Sequence, residues 1–134
     1  MALEDENRKV FTACYEAARE GDWERFKSHL DPEVELHEAA SLPYGGACKG
    51  PDRVVAFLQV MFSAWGSVEF ELDQMLVGRD LGFVLFDVRF TARRGAAVHI
   101  PVVELWRICD AKLTEIRPFY FDTHAVRNAL ADSG

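Results

Sequence analysis

Six polar side chains of this chain have the chemistry to hold or move a proton in an otherwise apolar pocket: Tyr15, His37, His99, Glu104, Tyr120 and Asp122. Histidine titrates near neutrality, so His37 and His99 can each serve as acid or base without large tuning. The hydroxyl of Tyr15 or Tyr120 can donate to an oxygen that gains negative charge in an enolate. Asp122 is a third candidate acid or base. No Ser-His-Asp order, P-loop or dinucleotide glycine motif is present. The four histidines lack the HExxH spacing, and Cys14, Cys48 and Cys109 lack the CxxC spacing, so neither a metal nor a cofactor is expected. The cysteines read as free thiols of a reducing compartment.

Each candidate has a competing structural reading. Tyr15 flanks the apolar stripe of a predicted helix, as a ligand donor or as a core aromatic whose hydroxyl is satisfied elsewhere. His37 ends a predicted strand, and one residue of register decides whether it faces a cleft or water. His99 shares a strand face with Pro101, Val103 and Leu105, where burial demands a partner; alternatively it is an edge residue near the Arg94-Gly95 hairpin. Glu104 falls on the opposite face, with Ile100, Val102 and Trp106. It joins His99 in one pocket only if Pro101 marks a bulge; otherwise it pairs with a cation at a dimer interface. Asp122 lies at the rim of the last strand or simply caps a final helix. Phe62, Trp65 and Phe86 would line a site for a flat hydrophobic ligand, or are core.

The elements that must position these groups are helices first, then strands. Leu3, Asn7, Val10, Phe11, Cys14 and Ala18 recur at three and four, which predicts a helix over 4–20 ending at Gly21. Asp22 caps a short helix over 23–30, stopped by Pro32. Alternation predicts a strand over 34–37, and Pro43, Gly45 and Gly46 make 41–50 a loop. Pro51 opens a helix whose stripe runs from Val54 to Trp65. Strands follow at 68–77, 81–93, 97–109 and 112–121, then a short helix over 124–130. This order predicts an α+β fold: a cone-shaped, curved antiparallel sheet wrapped around the N-terminal helices, with a cleft between them.

The length of 134 residues suits one domain, spanning 1–134, and 49% hydrophobic residues with ten Phe make it globular. The net charge of −7, with no basic cluster, argues against nucleic acid. No apolar run approaches the roughly 18 residues of a membrane span. The charged start, Met1 to Val10, is unlike a secretory signal, so a cytoplasmic location is expected.

The segments Ile100–Ile108 and Cys109–Asp122 resemble the end of the nuclear-transport-factor-2-like (NTF2-like) superfamily, within its SnoaL-like and ketosteroid-isomerase-like branch. The Asp22-Trp23-Glu24 step and the stretch Cys48-Lys49-Gly50-Pro51-Asp52-Arg53-Val54 fit the same pattern. The resemblance covers nearly the whole chain. It implies a pocket at the open end of the cone, a small hydrophobic ligand and a homodimer packed sheet to sheet. It also implies isomerase or polyketide-cyclase chemistry, without a cofactor, on a carbonyl compound, or alternatively non-catalytic binding by the same pocket or a dimeric interaction module whose cavity is merely core. By resemblance Tyr15 matches the oxyanion-hole tyrosine of the isomerases. Their acid falls near Pro101 and their base around Leu36-His37. Glu104 is the nearest match to the general acid/base of the cyclases. Family register makes the face of Ile116, Pro118 and Tyr120 the pocket wall. On parity, Tyr15, Trp65, His99, Tyr120 and Asp122 are expected to converge on one cavity. The row Val98, Ile100, Val102, Trp106 and Ile108 is then left for the dimer face.

Overall fold

The computed structural model describes residues 2–132. Helix α1 (Leu3–Glu20) opens with Glu4, Asp5 and Glu6, whose charges complement the positive end of the helix. It buries Asn7, Phe11, Cys14 and Ala17 along one stripe. Gly21, at φ 71°, closes it in the left-handed conformation that glycine adopts without strain. Asp22 then accepts from the Arg25 backbone N–H at 3.1 Å and starts α2 (Trp23–Lys27).

Helix α2 is shorter than predicted, because the chain passes into strand β1 (Leu30–Glu38). Pro32 lies within that strand, where the register to the neighbouring strand shifts between Leu30 and Glu35. A residue without an N–H is tolerated at such an irregularity. The predicted loop after β1 contains a four-residue edge strand, β2 (Gly46–Lys49), paired antiparallel with β1. Gly45 closes the turn before it and Gly46 is its first residue, so the segment is not structureless.

Helix α3 (Pro51–Ser63) begins with proline in its first turn. The strands β3 (Ser67–Val77), β4 (Leu81–Thr91), β5 (Ala97–Cys109) and β6 (Lys112–Tyr120) agree with the sequence reading to within two residues. Helix α4 (Thr123–Asp132) follows. The six strands form one curved sheet in the order β2-β1-β6-β5-β4-β3, antiparallel throughout except for the parallel pair β1 and β6. The α+β cone is thus the observed fold.

The register corrects one expectation. Val102 lies opposite Tyr120, Glu104 opposite Pro118 and Trp106 opposite Ile116. The even-numbered residues of β5 therefore share the concave face with Tyr120, and no bulge at Pro101 reverses this. Ile100, Val102, Trp106 and Ile108, expected on a dimer face, are buried in the core with Phe11, Phe86 and Phe90. His99 lies on the convex face. No helix among the described residues is long and apolar enough to cross a membrane.

Candidate functional site

Between the concave face of the sheet and helices α1, α2 and α3 lies a cavity with about 80 Å³ open to the centre of a water-sized sphere. Its walls are mostly apolar, with aromatic rings prominent among them. Tyr15 of α1 stacks on Phe86 of β4, with ring centroids 5.9 Å apart, and meets Phe70 of β3 edge to face. Phe62 of α3 packs against both Trp23 and Phe70. Three acidic or hydroxylic side chains from the sheet interrupt this apolar lining on one side: Glu38 from the end of β1, Glu104 from β5 and Tyr120 from β6. Among the described residues, no Lys, Arg or His lines the cavity.

Glu38 follows Val34 and Leu36 on the inner face of β1 and is 6% exposed. Its Oε1 accepts from the Ala39 backbone N–H at 3.1 Å. Burial pushes its carboxyl up to about 7; the Ala39 N–H and the Tyr120 hydroxyl oppose that push, and the Glu104 charge adds to it. Glu104 is half-buried and lines the same cavity. Burial raises it to about 7 as well, against the pull of the Trp106 indole, which donates to Oε1 at 2.8 Å.

Tyr120 meets a second tyrosine. Its hydroxyl lies 3.2 Å from that of Tyr44, which the loop between β1 and β2 brings into the core. Burial holds both hydroxyls neutral, Tyr44 pushed up to about 12 and Tyr120 raised further. Behind Phe90, whose ring is 5.0 Å from that of Trp65, the Trp65 indole N–H is buried without a well-formed hydrogen bond. Its polar interaction is with the Tyr44 oxygen.

Five of the residues singled out in the sequence line the cavity: Tyr15, Phe62, Phe86, Glu104 and Tyr120. Tyr15 contributes its ring, while its hydroxyl accepts from Arg19 at 3.5 Å at the exposed edge. Trp65 stands one layer behind the wall. The other three lie elsewhere. His37 is on the convex face of β1, where its Nε2 lies 3.0 Å from Glu35. The His99 ring sits between Asp87, 2.8 Å from Nε2, and Arg89, 3.3 Å from Nδ1, also on the convex face. Asp122 caps α4 by accepting from the Ala125 N–H at 2.9 Å. The physical reason is parity: a one-residue error of register moves a whole strand's set to the other face.

Glu38, Tyr44 and Trp106 escaped the sequence reading as site residues. Glu38 was readable, because Val34 and Leu36 set the buried parity of β1 and Glu38 continues it. Tyr44 had no periodic signal, since it sits on a loop. Among the described residues no cluster of three or more His, Cys, Asp or Glu is placed to hold a metal ion.

No curated protein matches the chain. Among solved structures, TerC co-crystallised with polyporic acid superposes with a TM-score of 0.84 at 22% identity, covering 94% of this chain and 98% of that one. An NTF2-like protein of Burkholderia thailandensis E264 gives 0.85 at 23% identity, over 92% and 96%. RV0760c of Mycobacterium tuberculosis, in complex with estradiol-17beta-hemisuccinate, gives 0.69 at 14% identity, over 85% and 92%. The SnoaL-like domain family matches residues 11–116, and the chain belongs to that family.

Proposed function

We propose that this protein is a cofactor-independent acid–base enzyme acting on a small, hydrophobic, uncharged carbonyl compound. The observation that carries this reading is the pair of buried carboxyls, Glu38 and Glu104, each held near 7 in one apolar cavity with the Tyr120 hydroxyl. Carboxyls tuned to working pH suit proton transfer. The two carboxyls share one cavity and are both raised to about 7, so near that pH the pair keeps about one proton between them; in this reading Glu38, which accepts from the Ala39 N–H, is the base and Glu104 the acid. Glu38 takes the proton from the carbon next to the carbonyl, and the electron pair of that C–H bond moves to the carbonyl oxygen. Protonated Glu104 and Tyr120 donate to the resulting enolate oxygen. Return of the proton to another carbon isomerises the substrate. Attack of the enolate carbon on a second carbonyl closes a ring, with Glu104 protonating the new alkoxide. Two proteins of the same fold bind polyporic acid and an estradiol ester, which supports a flat hydrophobic ligand.

The test is deuterium exchange next to the carbonyl of a panel of aryl ketones and 1,3-diketones, followed by NMR. Glu38→Gln is expected to slow exchange by about 100-fold or more while the ligand still binds. Binding without exchange in the parent protein would establish a binding protein instead. No binding at all would leave the cavity as part of the core of an interaction module.

We also infer a homodimer through the convex face. The support is a patch that the register places there: Leu76, Phe83 and Phe119 are 63%, 42% and 53% exposed, with Leu85 and Val103 between them. A contiguous apolar surface on a sheet face marks a contact site. This patch replaces the row expected from the sequence.

A further inference from the structure

The hydroxyl of Tyr120 has one hydrogen and two neighbours that could receive it, the Tyr44 oxygen at 3.2 Å and the Glu38 carboxyl. Either tyrosine can donate across their 3.2 Å contact. An ionised Glu38 has no hydrogen to give, and where Tyr120 donates to it the hydrogen of that contact comes from Tyr44. The Tyr44 oxygen then faces the Trp65 N–H, the buried donor that is otherwise unmatched. In that arrangement the hydrogens of Trp65, Tyr44 and Tyr120 would all point towards Glu38, an alignment in which each bond strengthens the next. When Glu38 holds a proton, it no longer requires the Tyr120 hydrogen.

We propose that Tyr44 is a positioning residue: by donating to the Tyr120 oxygen it aims the Tyr120 hydrogen at Glu38 while that carboxylate is charged, and leaves it free for the substrate oxygen once Glu38 has taken the substrate proton. The base and the oxyanion donor then change state together. The C–H bond of the substrate breaks, its proton goes to Glu38, its electron pair goes to the oxygen, and the Tyr120 hydrogen turns from Glu38 to that oxygen. Tyr44 touches no reacting atom. The role in the reaction rests on the acid–base reading above, whereas the 3.2 Å contact of Tyr44 with Tyr120 is independent of any substrate. The groups that face Glu38 are Glu104 from β5, Tyr120 from β6, the Ala39 N–H and, through Tyr120, Tyr44 from the loop.

The test is the titration of Glu38 by carbon NMR of labelled glutamate, without ligand, in a Glu104→Gln background that leaves one carboxyl in the cavity. Tyr120→Phe removes the direct donor and is expected to raise the Glu38 midpoint by about one pH unit. Tyr44→Phe is expected to raise it by about half a unit, through loss of the polarising bond. Replacing Tyr44 with a ring-fluorinated tyrosine, a stronger donor of nearly the same shape, is expected to lower it; this arm stands even if Tyr44→Phe fails to fold. A Glu38 midpoint unmoved by a folded Tyr44→Phe protein, or moved upwards by the fluorinated residue, would overturn the proposal. So would a shift in Tyr44→Phe with none in Tyr120→Phe, because the effect would then bypass Tyr120. A failure to find catalysis leaves this titration unaffected, so the two readings fail separately.

Discussion

Glu104 and Trp106 stand two residues apart on the concave face of β5, and the Trp106 indole N–H donates to Glu104 Oε1 at 2.8 Å. The indole is itself held by α1, since the Phe11 ring lies 5.1 Å from it. A helix therefore fixes the donor that steadies a carboxylate inside the sheet. Trp106→Phe keeps an aromatic ring there and removes the N–H. A hydrogen bond to the charged form lowers a carboxyl's pKa, so its loss is expected to raise Glu104 by about one further unit. Titration of labelled glutamate in a Glu38→Gln background checks this; a midpoint unchanged from about 7 would show the indole to be only packing.

Glu38 and Glu104 also make folding sensitive to pH. Both are raised in the folded protein from 4.5 to about 7. Between those values the folded state binds more protons than the unfolded state, so stability falls as pH rises. Their contribution is full below about 4.5 and is lost as pH passes through about 7. Glu104→Gln removes one of the two ionisations. It is expected to be more stable than the parent by roughly 2–3 kcal/mol at pH 8, with the difference vanishing near pH 4. Urea unfolding at the two pH values measures it. Equal stability of the two proteins at pH 8 would mean that the cavity solvates the carboxylate.

The sequence carried the elements of this fold because they are strongly patterned. The stripe on α1, the caps at Gly21 and Asp22, and the long alternating strands each follow from local spacing. What it did not carry is the face each strand turns inward. Glu104 and His99 illustrate this: both sit on β5, five residues apart and hence on opposite faces. The apolar content of Pro101, Val103 and Leu105 is nearly that of Ile100, Val102 and Trp106. Only the pairing of Val102 with Tyr120 decides between them. A sheet with an apolar patch on its convex side and a cavity on its concave side has two rows that look buried. On β1 the parity was readable: Val34 and Leu36 are buried, which turns His37 outward and Glu38 inward. Asp122 is explained by the cap it makes.

The convex patch predicts its own disruption. Val103 lies between Leu85 and Phe119 across the strands, at the centre of that row. Val103→Glu would place a charge against its symmetry mate in a sheet-to-sheet dimer. The expected result is a dimer for the parent at micromolar concentration and a monomer for the variant, read by light scattering, with an unchanged circular dichroism spectrum. A parent that elutes as monomer would leave the patch without its second copy.

Phe62 sets the size of what the cavity accepts. It comes from α3 and bridges Trp23 of α2 and Phe70 of β3, each with ring centroids 5.8 Å away. The open space it helps enclose, about 80 Å³, is small beside the roughly 300–1,000 Å³ typical of ligand sites. Phe62→Ala removes a ring from the wall without touching Glu38, Glu104 or Tyr120. Because Phe62 is only half-buried, the stability cost is expected to be about 1–3 kcal/mol, below the cost for a fully buried phenylalanine. Parent and variant are compared by calorimetry against aryl ketones of one, two and three fused rings. The parent is expected to bind the smallest best and the variant to shift towards the larger ones. If both rank the series alike, the limit lies elsewhere, and the helices must part from the sheet to admit a ligand.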